Sequence, residues 1–341
     1  MSKHTATIKE VAALAKVSQM TVSRVLNKQS SVKEATRNRV QAAIRELNYR
    51  PNLMARNLAG RSGQFIGLLY RNPSYGYLSE FLLGALSTCK QLGHYLIVEE
   101  PLAEADMMDL ELIEKRFRDS SIQSLIVVPP LSDKPELIEM LKRTGISFVC
   151  VGPPVEGQEV HSVRMDDHSA AREMTDHLLE LGHTRIGFIR GPSDHLSSEL
   201  RFRGYQEALH YKGIGLNSQH VVSGDFTYAS GMKAASDLLE QAEPVTAIFA
   251  CNDDMAASAV SAAQRAKLRL PEDLSIVGFD DIPNVSWIWP PLTTIHQPIR
   301  DMAKQAIEIL VDDQARQNPK PSIRSLDYEL VIRQSSAPPK G

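Results

Sequence analysis

A small all-α helix-turn-helix head joined to an α/β body of two doubly wound parallel-sheet lobes is the fold class that this 341-residue sequence predicts. Three observations predict it. Residues 7–47 carry three short helical patterns separated by turn signals. From residue 65 onward, apolar runs of strand length alternate with amphipathic stretches. The chain is also too long for a single hydrophobic core.

Hydrophobic content of 43% and charged content of 23% are those of an ordinary globular chain. No apolar run reaches the roughly 18 residues of a spanning helix, and MSKHTATIKEVAAL lacks the apolar stretch of a signal peptide. A cytoplasmic location with no membrane partner is expected. Cys89, Cys150 and Cys251 are widely spaced with no CxxC, which fits buried reduced thiols rather than a metal or redox site. The net charge of −3 is unevenly divided. Residues 1–61 hold 12 Lys and Arg against Glu10, Glu34 and Glu46, a net of +9, which leaves −12 for the rest. A basic head on an acidic body points to a polyanionic partner for the head alone.

In the head, TIKE at 7–10 has the capping-box pattern, with Thr7 as N-cap and Glu10 three residues on. Ile8, Val11, Ala12 and Ala15 then form one apolar stripe. Ser18 offers an N-cap to the next segment, QMTVSRVLN. At about 100° per residue, Thr21, Val22, Val25 and Leu26 share one arc of that helix. Gln19, Met20, Ser23, Arg24 and Asn27 share the other, which is rich in groups that pair with base edges. EATRNRVQAAIRELNY supplies a third helix, whose Val40, Ala43, Ile44 and Leu47 close a small core. Helix, tight turn and helix in this order predict a second helix that enters the DNA major groove. The bland alternative is a three-helix cap without a nucleic acid. PNLMARNLAGRSG follows: Pro51 stops the third helix, and Gly60 and Gly63 bound a segment too short to be a stable helix alone.

In the body, FIGLLY, YLIVEE, SLIVVPP, SFVCVG, RIGFIRG, HVVSGD, TAIFACND and SIVGFDD read as strands. Segments such as YLSEFLLGALSTCKQLG and AAREMTDHLLELGH read as the helices between them. This alternation means parallel sheets, too many strands for one small sheet, and ligands at the carboxyl ends of the strands. Those ends hold Arg71–Tyr77, Asp166–Asp167, Ser193–Arg201, Asp225–Phe226, Asn252–Asp253 and Asp280–Asp281. Asn252 and Asp280 follow apolar strands directly and are expected to face a polar cleft, with Asp253 and Asp281 as candidate helix caps.

The segments IKEVAALAKVSQMTVSRVLN, TRNRVQAAIRELNYRPN and ARNLAG resemble the head of the lactose/galactose repressor (LacI/GalR) family of bacterial transcription regulators. The resemblance continues through AIFACNDDMA, PEDLSIVGFDD and PPLTTIHQP to about residue 335. It implies base contacts from Gln19, Met20 and Arg24, with Thr7, Ser18, Thr21, Ser23, Asn27, Thr36 and Tyr49 as further DNA-contacting residues. Arg24 suits guanine, and Met20 an apolar contact such as a thymine methyl. Leu58 matches the wedge position of a hinge helix that forms on DNA and kinks it from the minor groove; a flexible tether is the plainer reading of that linker. Lys16 stands where the family has Gly or Asn, and Lys33 where it has a Ser cap.

For the body, the resemblance implies a fold of periplasmic-binding-protein type. Its pocket would be lined by Tyr77, Asp166, His195, Ser197, Arg201, Phe226, Asn252, Asp280 and Gln297. Arg201, Asn252 and Asp280 suit vicinal hydroxyls, while Phe226 with Trp287 would cover a ring face. His195 stands where purine-type members have an arginine. The division expected is a head (1–50), a hinge or linker (51–63) and a body (64–341). Lobe one would span about 64–161 and 296–323, lobe two about 162–295 and 324–336. The first lobe's helices, about 77–93 and 105–119, are expected at a homodimer contact.

No G-x-G-x-x-G or G-x-x-x-x-G-K-[ST] follows a strand, PSDHLSSE has no nucleophile elbow, and the ten histidines show no ligand spacing. Neither catalytic residues, metal nor cofactor are expected. The function implied is a DNA-binding repressor of a near-palindromic double-stranded operator, acting as a homodimer and responding to a small effector, a sugar or sugar derivative. The alternatives are a purine-type corepressor-dependent repressor and a DNA-binding regulator controlled by a protein partner.

Overall fold

Residues 6–26, 32–47, 49, 63–99, 110–153, 159–312 and 320–340 are described by the computed structural model. The chain divides into two units, Met1–Gly63 and Gln64–Gly341.

Three helices make the first unit: α1 (Ile8–Leu14), α2 (Gln19–Leu26) and α3 (Glu34–Glu46). The amide of Glu10 donates to Thr7 Oγ1, and the amide of Thr7 donates to Glu10 Oε2 at 2.7 Å, so both halves of the capping box form. Ser18 Oγ caps α2 by accepting from the Thr21 amide at 3.2 Å. α3 starts without such help, since Lys33 makes no side-chain cap bond. Lys16 sits in the turn at φ +50°, a left-handed conformation that costs a side-chain-bearing residue roughly 1–2 kcal/mol. Val11, Val22, Val25, Val40 and Ala43 close over these helices as one core. With so small a core, a cap is a sizeable fraction of the stability. Thr7→Ala is expected to cost about 1 kcal/mol, seen as an earlier head transition in calorimetry of the whole chain; an unmoved transition would count against the capping box.

The second unit carries two parallel sheets. The first takes β1 (Phe65–Leu69), β2 (Tyr95–Glu99), β3 (Ser124–Val127), β4 (Ser147–Val151), β5 (Ser162–Arg164) and β11 (Ile323–Ser325), in the order β11-β5-β4-β3-β1-β2. The second takes β6 (Ile186–Arg190), β7 (Val221–Ser223), β8 (Ala247–Ala250) and β9 (Ser275–Val277), in the order β7-β6-β8-β9. The helices that matter for the site are α4 (Tyr75–Leu92), α7 (Asp167–Glu180), α8 (Leu196–Tyr211), α10 (Asp253–Arg265) and α11 (Ile299–Val311). Two more, α5 (Leu110–Asp119) and α6 (Pro135–Thr144), cover the first sheet's other face through Ile113, Phe117, Leu137 and Leu141. α9 (Tyr228–Leu239) packs on α10. α4 crosses α11 at Gly84, where a Cβ would stand 2.6 Å from the Arg300 carbonyl oxygen; only glycine permits that approach.

The chain crosses between the sheets three times, and the crossings are tied pairwise. β5 pairs with β11, and β10 (Thr294–His296) pairs antiparallel with β12 (Glu329–Val331). Arg333 fastens the last crossing to the second by donating to Asp281 Oδ1 at 2.6 Å and to the Leu292 carbonyl at 2.8 Å. These crossing strands are only three residues long, and an apolar-run criterion passes over such short pieces. The first sheet therefore runs through Arg164 and Ser325, a few residues past the lobe boundaries expected from sequence.

Candidate functional site

On the head, Gln19, Met20 and Arg24 share one exposed face of α2, opposite the buried Val22 and Val25. Arg24 Nη2 donates to Met20 Sδ at 3.7 Å, which steadies a long cation one turn along the helix. Thr7 and Ser18 are exposed at the starts of α1 and α2, and the Ser18 and Thr21 hydroxyls bond each other at 2.9 Å. Ser23 and Thr36 are half-buried, and Tyr49 packs against the head core. Asn27 and Leu58 lie outside the described residues.

In the second unit, a cavity opens at the carboxyl ends of both sheets. Asn72 and Ser74 reach it from beyond β1, Gly152 from beyond β4, Phe226 from beyond β7, Asn252 from beyond β8 and Asp280 from beyond β9. Eight of the nine residues nominated from sequence line it: Tyr77, His195, Ser197, Arg201, Phe226, Asn252, Asp280 and Gln297.

Arg201 organises the floor. From α8, Nε donates to Asp167 Oδ1 at 2.9 Å, Nη1 to the Cys251 carbonyl at 2.7 Å and Nη2 to Gln297 Oε1 at 3.3 Å. The guanidinium lies 3.5 Å over the Phe279 ring, a cation–π contact strengthened by burial. Asp280 stands 3.7 Å from Nη1. Its backbone is held at φ +119° and that of Phe226 at +68°. Strained non-glycine residues of this kind persist only where the surroundings fix them, and they cluster at binding sites. The surroundings are visible here. Asn252 caps α10 through the Met255 amide at 3.0 Å, and its Nδ2 holds the Phe226 carbonyl at 3.0 Å. Gly191 makes room for the Phe226 ring, which a Cβ there would meet at 2.3 Å.

Burial raises the Asp280 carboxyl to about 7, with Arg201 opposing the shift. A carboxyl whose pKa rises on folding binds more protons in the folded state between 3.8 and about 7, so its contribution to stability falls as pH rises through that window. Asp280→Asn is therefore expected to gain stability relative to the parent chain as pH rises from 4 to above 7. A pH-independent difference in unfolding free energy would refute this. Burial pushes His195 the other way, to about 4, so the imidazole is neutral. Its ring meets Phe226 edge-on with centroids 5.1 Å apart.

Two nominated residues are corrected. Asp166 is outside the cavity: as N-cap of α7 it accepts from the Ser169 amide and hydroxyl at 3.0 and 2.7 Å. The next residue, Asp167, turns inward and pairs with Arg201, because successive positions at a helix start point in different directions. Trp287 is 80% exposed, so Phe226 covers the ring wall without it. The cap assignment at β8 is also exchanged. Asn252 is the cap, while fully buried Asp253 accepts from the Ile282 amide at 3.0 Å and the Thr294 hydroxyl at 2.7 Å.

The sequence reading missed the bonds that close the cavity from opposite lobes. Ser74 Oγ donates to Asp254 at 2.9 Å, the Leu196 amide to Asp133 at 2.9 Å, and Lys134 pairs with Asp194 at 3.2 Å. Such partners, between 60 and 180 residues apart, leave no local signal. Among the described residues, no cluster could hold a metal ion, and no helix is long and apolar enough to cross a membrane.

Residues 7–52 match the family described as "Bacterial regulatory proteins, lacI family", and residues 175–336 match "Periplasmic binding protein-like domain". The HTH-type transcriptional repressor PurR of Photobacterium profundum is 32% identical over 330 residues, 97% of this chain and 98% of the relative. A CelR transcriptional regulator in complex with cellobiose superposes with a TM-score of 0.73 at 31% identity, covering 97% of this chain and 99% of that one. The lac repressor dimer bound to operator and the anti-inducer ONPF gives 0.83 at 28%, covering 98% and 99%. With a helix-turn-helix head, a two-sheet body and likeness along nearly its whole length, this chain belongs to the LacI family of bacterial transcription regulators, whose members are not enzymes.

Proposed function

We propose that this chain is a cytoplasmic repressor that binds a near-palindromic operator as a homodimer, and that its operator affinity is set by a sugar or sugar derivative bound between the lobes. The observation that carries the effector is the cavity: a buried polar floor of Arg201, Asp167 and Asp280 faces an aromatic wall of Phe226 and His195. Hydroxyls suit the floor and a ring face suits the wall. Three short crossings permit a hinge between the lobes, and the coupling is reciprocal: effector and operator change each other's affinity by the same factor. The operator-bound lac repressor dimer and the cellobiose-bound CelR support the two halves of this reading.

The test is a thermal-shift screen of sugars and nucleobases on the purified chain, followed by DNA binding with each hit. A ligand at a hundred times its Kd adds about 2.7 kcal/mol, a readable shift. A compound that raises the melting temperature and changes operator affinity is expected. DNA binding with no response to any compound would favour control by a protein partner instead. Nucleobases stand beside sugars in the screen because the His195–Phe226 pair also covers a flat base.

A further inference from the structure

The charge of the cavity restricts its occupant further than its shape does. Among the described residues that line it, Arg201 is the one permanent cation, and its charge is already used. Asp167 neutralises it at 2.9 Å, the Cys251 carbonyl and Gln297 take its other donors, and Phe279 covers a face. Asp280 lines the same floor and shares, at 3.7 Å, an Arg201 already paired with Asp167, and His195 is a neutral imidazole. Immediately behind, Asp253 is fully buried, and Asp254 is tied to Ser74. With Asp280 protonated the lining is neutral, and with it ionised the lining is negative; neither state offers net positive charge to an anion. Tyr77, Ser197 and His195 remain to read the ligand, since their side chains make no hydrogen bond to another described residue.

We infer that the effector is an uncharged, hydroxyl-bearing molecule and that the cavity rejects its phosphate esters and carboxylate derivatives. This rests on the reading of the cavity as the effector site. With Asp280 ionised, well above its pKa of about 7, one like charge about 6 Å from a ligand anion, at an effective dielectric of about 20, corresponds to about a hundredfold in affinity. At lower pH the anion can bind the protonated form and the discrimination shrinks.

Titration calorimetry on the full chain tests it, with glucose, ribose and adenosine each paired with its monophosphate, extended to the neutral hits of the screen and their phosphate esters. At pH about 9, where Asp280 is ionised, the expected result is a neutral compound whose phosphate ester binds on the order of a hundredfold more weakly. A phosphate ester that binds as tightly as its neutral parent, or more tightly, overturns the charge rule and leaves the effector reading standing. If no compound of either kind binds, the effector reading falls and the charge rule with it. Asp280→Asn, whose amide side chain tolerates positive φ, leaves the lining neutral and is expected to remove most of that discrimination, on the order of a hundredfold. An unchanged ratio would overturn the assignment of the rejection to Asp280. The comparison within the parent chain needs no variant, so a misfolded mutant does not spoil the test.

Discussion

Arg201→Ala is expected to lower the stability of the Gln64–Gly341 unit by about 3–5 kcal/mol, because it removes one partner from a buried ion pair and leaves the others uncompensated. Asp167 and Asp280 are 3% and 4% exposed, and neither can recover water when the guanidinium leaves. The Cys251 carbonyl and Gln297 lose a donor in the same step. Denaturant unfolding of the variant reads this directly, and a loss below about 1 kcal/mol would mean that the pair behaves like a surface one. The double variant Arg201→Ala/Asp280→Asn should recover part of the loss, since it deletes one orphaned charge. Arg201→Ala is thus a blunt probe of ligand response, and Asp280→Asn, which keeps the Arg201–Asp167 pair, is the sharper one.

Arg24→Ala is expected to weaken operator binding by about 1–3 kcal/mol and to relax selection at a single base position. Arg24 stands on the exposed face of α2, steadied by Met20, and contributes nothing to the head core. Its loss should therefore leave the head's folding transition in place. Sequencing of selected operator variants decides the point. A uniform weakening across all sequences, with the same position still selected, would assign Arg24 to phosphate rather than base.

The head was legible nearly residue by residue. Thr7–Glu10, Ser18 and the Val22/Val25 arc are local signals, each depending on neighbours three or four positions away, and tertiary packing had only to agree with them. The body was legible as alternation: its eight apolar runs became strands because a sheet covered on both faces needs continuous hydrophobic sequence. β5, β10, β11 and β12 were not read as strands, because three residues are too few to show a period.

By itself, then, the sequence determined the fold class, the exposed face of α2 and the strand ends at which a pocket must lie, since these depend on periodicity and order along the chain. The tertiary structure alone decided that Asp167 and not Asp166 meets Arg201, that Asn252 caps while Asp253 is buried, and that Trp287 stays in solvent. It also decided that Arg201 is already neutralised and that Asp133, Lys134 and Ser74 reach across the cleft. Adjacent residues at a strand-to-helix turn have similar sequence signals and opposite directions in space. Charge balance in a buried cavity, likewise, is a sum over residues up to 180 positions apart, which no local pattern contains.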